Sequence, residues 1–168
     1  FSWAGLAYSF KFIWTPIIDN LRLPVKNFGH RKSWLLFSQI MVILGLVFTS
    51  FTDPSQTLLY TAIGAVIIAF ASATQDVIID AYRIESASQK FQGILSSMYI
   101  AGYRIAMLVA GAGSLLLAAY LGTETYNVKV WRLVYMIMAS LMIIGILTTI
   151  FSPEPKIKRK NSLISFQD

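Results

Sequence analysis

The chain has 168 residues, 56% of them hydrophobic and 13% charged, with a net charge of +6 and a mean hydropathy of +0.63. Soluble domains carry about 25% charged and about 45–50% apolar residues, so this composition excludes an ordinary soluble domain and points to a membrane. The basic residues lie mostly in short segments between apolar runs, a pattern that sets membrane orientation and argues against a nucleic-acid partner. Cysteine is absent and His30 is the single histidine, so no metal site is expected. The chain opens at Phe1 inside an apolar segment, without initiator Met, basic n-region or cleavage site. Part of a longer chain is therefore expected upstream.

Five membrane helices are expected. The first covers 2–19, with Lys11 interrupting it and Pro16 placed to kink it. Residues 20–32 form a basic connection broken by Pro24 and Gly29, with His30 expected as a solvated loop side chain. The second span, 33–52, carries no charge and ends at the turn Asp53-Pro54-Ser55. The third, 57–83, is apolar until Asp76 and Asp80. Spaced four apart, these share one helix face with Ser72, about 6 Å from each other along the axis. Ala65, Ala69 and Ala73 give the same helix a stripe suited to close packing. The fourth span, 91–121, carries Tyr99, Tyr103 and Arg104 and a second stripe at Gly102, Ala106, Ala110 and Ser114. The fifth runs over 131–151, and residues 156–168 read as a basic cytoplasmic tail or interdomain linker.

Charge distribution orients the bundle. Arg22, Lys26, Arg31, Lys32, Arg83, Lys90, Lys156, Lys158, Arg159 and Lys160 fall on one side, against Lys129 and Arg132 on the other. Ten against two places the 20–32 loop and the tail in the cytoplasm.

Ionisable groups inside a span are costly and normally face the protein interior or a water-filled cavity. At 1.5 Å per residue, Lys11 lies roughly 12 Å deep from Asp19, and Asp76 roughly 10 Å deep from Arg83. Arg104 lies deeper, and Asp80 lies near the cytoplasmic surface within reach of Arg83. Desolvation favours a neutral carboxyl group and an adjacent cation favours the charged form. Asp76, held between the two, suits proton coupling, with Lys11 or Arg104 as its partner. The competing structural reading is a buried ion-pair network that holds the helices together. An intramembrane enzyme is disfavoured, because both aspartates lie on one helix and no nucleophile–base pair accompanies them.

Several motifs carry a resemblance. YSFKFIWTPIIDN with the following GHRKSWLL, ATQDVIIDAYRIE, GYRIAMLVAG and the closing SPEP are similar to segments of AmpG-type muropeptide permeases of the major facilitator superfamily. The resemblance implies an all-α membrane protein whose five helices correspond to helices two to six of that fold, with residues 1–155 forming part of its N-terminal half. It implies secondary active transport, with proton-coupled import of anhydro-muropeptides across the bacterial inner membrane, and a missing second half of the permease as partner. Acetyl-CoA transporters are similar in the same segments, and a non-transporting remnant of a split permease is a further alternative. On this likeness Asp76, Arg104, Lys11 and Asp80 are candidates for substrate binding or proton coupling. Tyr99, Tyr103 and Trp14 are candidates for stacking on a sugar. Asp19, Gly29, Arg31 and Lys32 resemble remnants of the superfamily's loop signature between helices two and three, with a longer interval from Asp to Gly. No cofactor is implied.

The orientation has a direct test. Asn27→Cys and Ser162→Cys are expected to react only with cytoplasmic thiol reagents. Labelling of either by an impermeant external reagent in intact cells would reverse the topology.

Overall fold

The computed structural model describes residues 2–21, 23, 29–122 and 126–155. Residues 22 and 24–28 of the basic 20–32 loop, the expected tail at 156–168 and both labelling positions lie outside the described residues. The elements, all helical, are α1 (Ser2–Ser9), α2 (Lys11–Asn20), α3 (His30–Ser50), α4 (Leu58–Ser86), a 3₁₀ turn (Gln89–Phe91), α5 (Gln92–Leu108), a π segment (Val109–Gly113), α6 (Ser114–Leu121) and α7 (Val128–Phe151).

The first expected span is two helices. Pro16 has no N–H to offer the Phe12 carbonyl, and its ring crowds that carbonyl. The ladder breaks just upstream, at Phe10, which leaves helical geometry with φ −102° and ψ 8°. The break makes Lys11 the first residue of α2. Four further segments are long and apolar enough to cross a membrane, namely His30–Ser50, Leu58–Ser86, Gln89–Leu121 and Val128–Phe151. The broken pair α1–α2 packs along α4.

Two helices begin three residues earlier than their apolar patterns indicate, each because a side chain caps them. The Asn127 side chain accepts from the Lys129 amide at 3.0 Å and starts α7. The Glu154 carboxylate, arriving from beyond the end of α7, accepts from the Arg31 and Lys32 amides at 3.0 and 3.3 Å and starts α3. This cap is remote in sequence, so the α3 pattern alone could not announce it. His30 is drawn into the helix with it. Its ring nitrogens are buried without a hydrogen-bond partner, contrary to the expected solvated loop position.

The helix α3 lies between α4 and α7. Lipid tails are as apolar as leucine, so close backbone approach and interhelical hydrogen bonds supply the association. A Cβ at Gly45 would come within 2.7 Å of Ile68 Cγ1, and one at Gly64 would strike the Thr49 hydroxyl. Across the other seam Gln39 Nε2 donates to Thr149 Oγ1 at 2.9 Å, with both residues buried. Near the α2–α3 connection Ile18, Trp34, Leu35 and Ile78 form an apolar cluster, and the Trp34 indole donates to the Leu21 carbonyl at 2.7 Å. Ala69 and Ala73 of the first stripe are buried against Trp14.

The long segment 92–121 differs. None of its residues is buried. It touches α4 at one end and α7 at the other. Gly102 and Gly111 meet no other side chain or helix within 4 Å, so the second small-residue stripe has no partner among the described residues.

A Cβ at Gly29 would overlap the Glu154 carboxyl group. Gly29→Ala is therefore expected to expel that carboxylate from the α3 N-terminus and lower stability by about 0.5–2 kcal/mol, the usual worth of a cap. Glu154→Gln should lose part of the same interaction. Unfolding of the purified protein in detergent should show the double variant costing clearly less than the sum of the two. Full additivity would separate Gly29 from the cap.

Candidate functional site

Two polar assemblies stand out, one inside the spans and one at the helix ends. The internal one is built on the face of α4 that carries Ser72, Asp76 and Asp80. Asp76 is partly buried there, and Lys11, released by the break before α2, is the cation acting on it. The two do not form a direct ion pair. Among the described residues the ion pairs are Arg31–Asp19, Arg31–Glu85 and Arg83–Asp80.

Tyr8 of α1 completes the assembly. Its phenol lies beside the Ser72 hydroxyl and within electrostatic reach of Asp76 and Tyr103. Tyr8 lies across the Phe10 break from Lys11, so helical spacing in the sequence does not announce their common placement beside α4. From α5, Tyr99 approaches the same carboxylates, and the Arg83 guanidinium sits 5.3 Å from the centre of its ring. Arg83 also contacts Asp80 at 3.4 Å and donates to Ser96 at 2.9 Å. Asp80 is thus engaged at the helix end while Asp76 is not.

The remaining candidates are placed differently. Trp14 stacks on Phe70 with centroids 4.4 Å apart and packs against Ala69 and Ala73. Tyr103 and Arg104 are exposed on α5, and Arg104 has no hydrogen bond or ion pair among the described residues. It stays outside the Lys11–Asp76 assembly.

The second assembly gathers the loop-signature residues. Arg31, only 8% exposed, contacts Asp19 at the end of α2 at 2.6 Å and grips Glu85 at the end of α4 through Nε and Nη2, at 3.0 and 2.6 Å. Such a paired, planar contact is particular to guanidinium. Lys32 Nζ donates to the Ile150 carbonyl at 2.9 Å, and the Tyr82 hydroxyl donates to the Pro153 carbonyl. With Glu154 on the α3 amides, the ends of α2, α3, α4 and α7 are joined at one face. In the sequence Glu85 and Glu154 are single letters of the YRIE and SPEP motifs; their roles lie in contacts 54 and 123 residues apart.

Alternating antiparallel helices, a broken first span and charged groups held within the apolar layer define a multi-pass membrane protein of transporter type. The family model described as "Major Facilitator Superfamily" matches residues 1–167, and the chain belongs to that superfamily. It is 38% identical over 156 residues to the anhydromuropeptide permease of Escherichia coli K12, covering 92% of this chain and 30% of that one. A Rickettsia conorii protein named as an AmpG transporter is 34% identical over 161 residues, covering 95% and 37%. An uncharacterized Haemophilus influenzae protein is 40% identical over 153 residues, covering 90% and 34%. The chain spans about a third of the length of these curated relatives. No solved structure matches it. Its kinship is with permeases and transporters rather than enzymes.

Arg31→Lys retains the charge and loses the paired contact with Glu85. It is expected to lower stability in detergent by about 1.5–3 kcal/mol, the range for hydrogen bonds to charged groups. An unchanged unfolding midpoint would show that charge alone, without guanidinium geometry, holds the helix ends.

Proposed function

We propose that the chain forms part of a proton-driven importer of anhydro-muropeptides in a bacterial inner membrane. One observation carries the proposal: Asp76 is partly buried within a span, with Lys11 acting on it from a helix break and no direct ion pair between them. A carboxylate so placed can take up and release a proton without first breaking a salt bridge. Broken helices near the middle of the membrane are a recurrent source of substrate and ion sites in transporters. The likeness to a protein named anhydromuropeptide permease supplies the substrate class.

In this reading Asp76 is the proton-coupling group, and Lys11 limits how far desolvation favours its neutral form. Tyr8 and Ser72 orient the surrounding hydrogen bonds. Arg104, exposed and unpaired, receives a substrate carboxylate, for which guanidinium offers two parallel hydrogen bonds. Tyr99 and Tyr103 flank it as sugar-stacking surfaces. Asp80, tied to Arg83, stands at the exit. The Arg31 assembly closes the cytoplasmic ends of the helices and moves with them as one body during alternating access.

Uptake by the full-length transporter tests the role of Asp76. Asp76→Asn is expected to abolish accumulation driven by a proton gradient, a loss of at least about tenfold, as removal of an essential acid–base group predicts. Exchange of preloaded for external substrate should persist, because it needs no net proton movement. Gradient-driven accumulation at the normal level would reduce Asp76 to a structural residue.

A further inference from the structure

A half-open cavity with a mostly apolar lining lies away from the Lys11–Asp76 assembly, at the opposite end of the bundle from Arg31. It forms where α3 ends and α4 and α7 begin, encloses about 250 Å³, and is lined by Thr49, Ser50, Thr61, Trp131, Arg132 and Tyr135 among others. The inner wall is fixed. Thr49 and Ser50 are buried and spend their hydroxyls on the Gly45 and Val47 carbonyls. Thr61 donates to Thr52 at 3.0 Å. The outer wall is not. Arg132 uses Nε on the Ser50 carbonyl at 3.2 Å and lies 5.2 Å from the centre of the Phe51 ring. Its two Nη groups and the Tyr135 hydroxyl have no partner among the described residues.

Arg132 is the fifth residue of α7 and has no ion pair among the described residues. It is also one of two basic residues on the side that the charge asymmetry otherwise leaves nearly empty of them; the other, Lys129, lies one turn away on the same face. Among the described residues, the nearby carboxylate Asp53 is occupied by the Ser55 amide at 2.9 Å and the Tyr126 phenol at 3.3 Å. Burial and the Asp53 charge push the Tyr126 phenol up from its ordinary pKa, so it remains a donor to Asp53.

We propose that this cavity binds the phosphodiester headgroup of a membrane phospholipid, with the free Nη edge of Arg132 as its anchor. Guanidinium matches phosphate oxygens with parallel hydrogen bonds. The unpartnered Tyr135 hydroxyl supplies a further donor. Trp131, Tyr135 and Tyr126 are the residue types that settle at headgroup level. A lipid rather than a soluble anion is favoured by the apolar flank: Phe51, Leu58 and Leu133 are 65%, 61% and 47% exposed, a surface along which acyl chains can lie while the headgroup is held. The bound phosphate would tie the start of α7 to the end of α3, opposite the ends already joined by Arg31 and Glu154. This site is independent of the transported substrate.

The test is binding of phosphatidylethanolamine to the delipidated protein in detergent, followed by native mass spectrometry. Diacylglycerol of the same acyl chains and inorganic phosphate are the comparison ligands. Phosphatidylethanolamine should bind at least about tenfold more tightly than diacylglycerol, the expected gain from charge-assisted hydrogen bonds. Arg132→Gln should remove most of that difference and Arg132→Lys should keep part of it. Tyr135→Phe, which leaves the Arg132–Ser50 contact in place, should weaken binding by about threefold and carries the test if Arg132→Gln fails to fold. Equal binding of diacylglycerol, or binding unaffected by these variants, would overturn the proposal. So would displacement of the lipid by millimolar inorganic phosphate, which would identify a soluble anion as the ligand.

Discussion

The guanidinium of Arg31 holds the bundle together at one face. It is buried, it bridges the ends of α2 and α4, and the amide of the same residue receives the Glu154 carboxylate from beyond α7. Removing one member of a buried pair leaves an uncompensated charge, at a cost of about 3–5 kcal/mol. Asp19 and Glu85 are more exposed than Arg31, so water softens that penalty on their side. Within lipid there is no hydrophobic force to draw helices together, and polar ties at the helix ends matter correspondingly more. Gly29 is required by the same arrangement, since a side chain there would occupy the place of the Glu154 carboxyl group.

This fixed end contrasts with the middle of the membrane. There the break at Phe10, between α1 and α2, brings Lys11 within electrostatic reach of Asp76 without closing an ion pair. The structure thus separates two uses of charge. At the ends, acids and bases are matched and rigid. Inside, a carboxylate and an ammonium influence each other without a direct ion pair. The segment 92–121 lies at the margin of the bundle with its glycines and Arg104 uncovered. Its π segment, Val109–Gly113, interrupts the regular ladder, so the two halves of the span are not one continuous α-helix.

The sequence by itself determined the class of protein, the helical spans and the groups of interest. Apolar runs of span length could only be satisfied by helices, because every backbone polar group in lipid must be paired within its own segment. Carboxylates and cations inside those runs identified themselves by their cost. The motifs around QDVIIDAYRIE and GHRKSWLL led to the superfamily to which the chain belongs. What only the tertiary structure decided was pairing. Glu154 caps a helix that starts 124 residues before it. Asp80 engages Arg83, Asp76 faces Lys11, Trp14 packs on Phe70, and Arg104 is left uncovered. Tyr8 joins the internal assembly because α1 lies against α4, and Arg132 has no ion pair among the described residues. The physical reason is one of range. Helix formation and membrane insertion depend on neighbours within a few turns, whereas the partner of a charged side chain depends on how distant helices rotate and lean against one another.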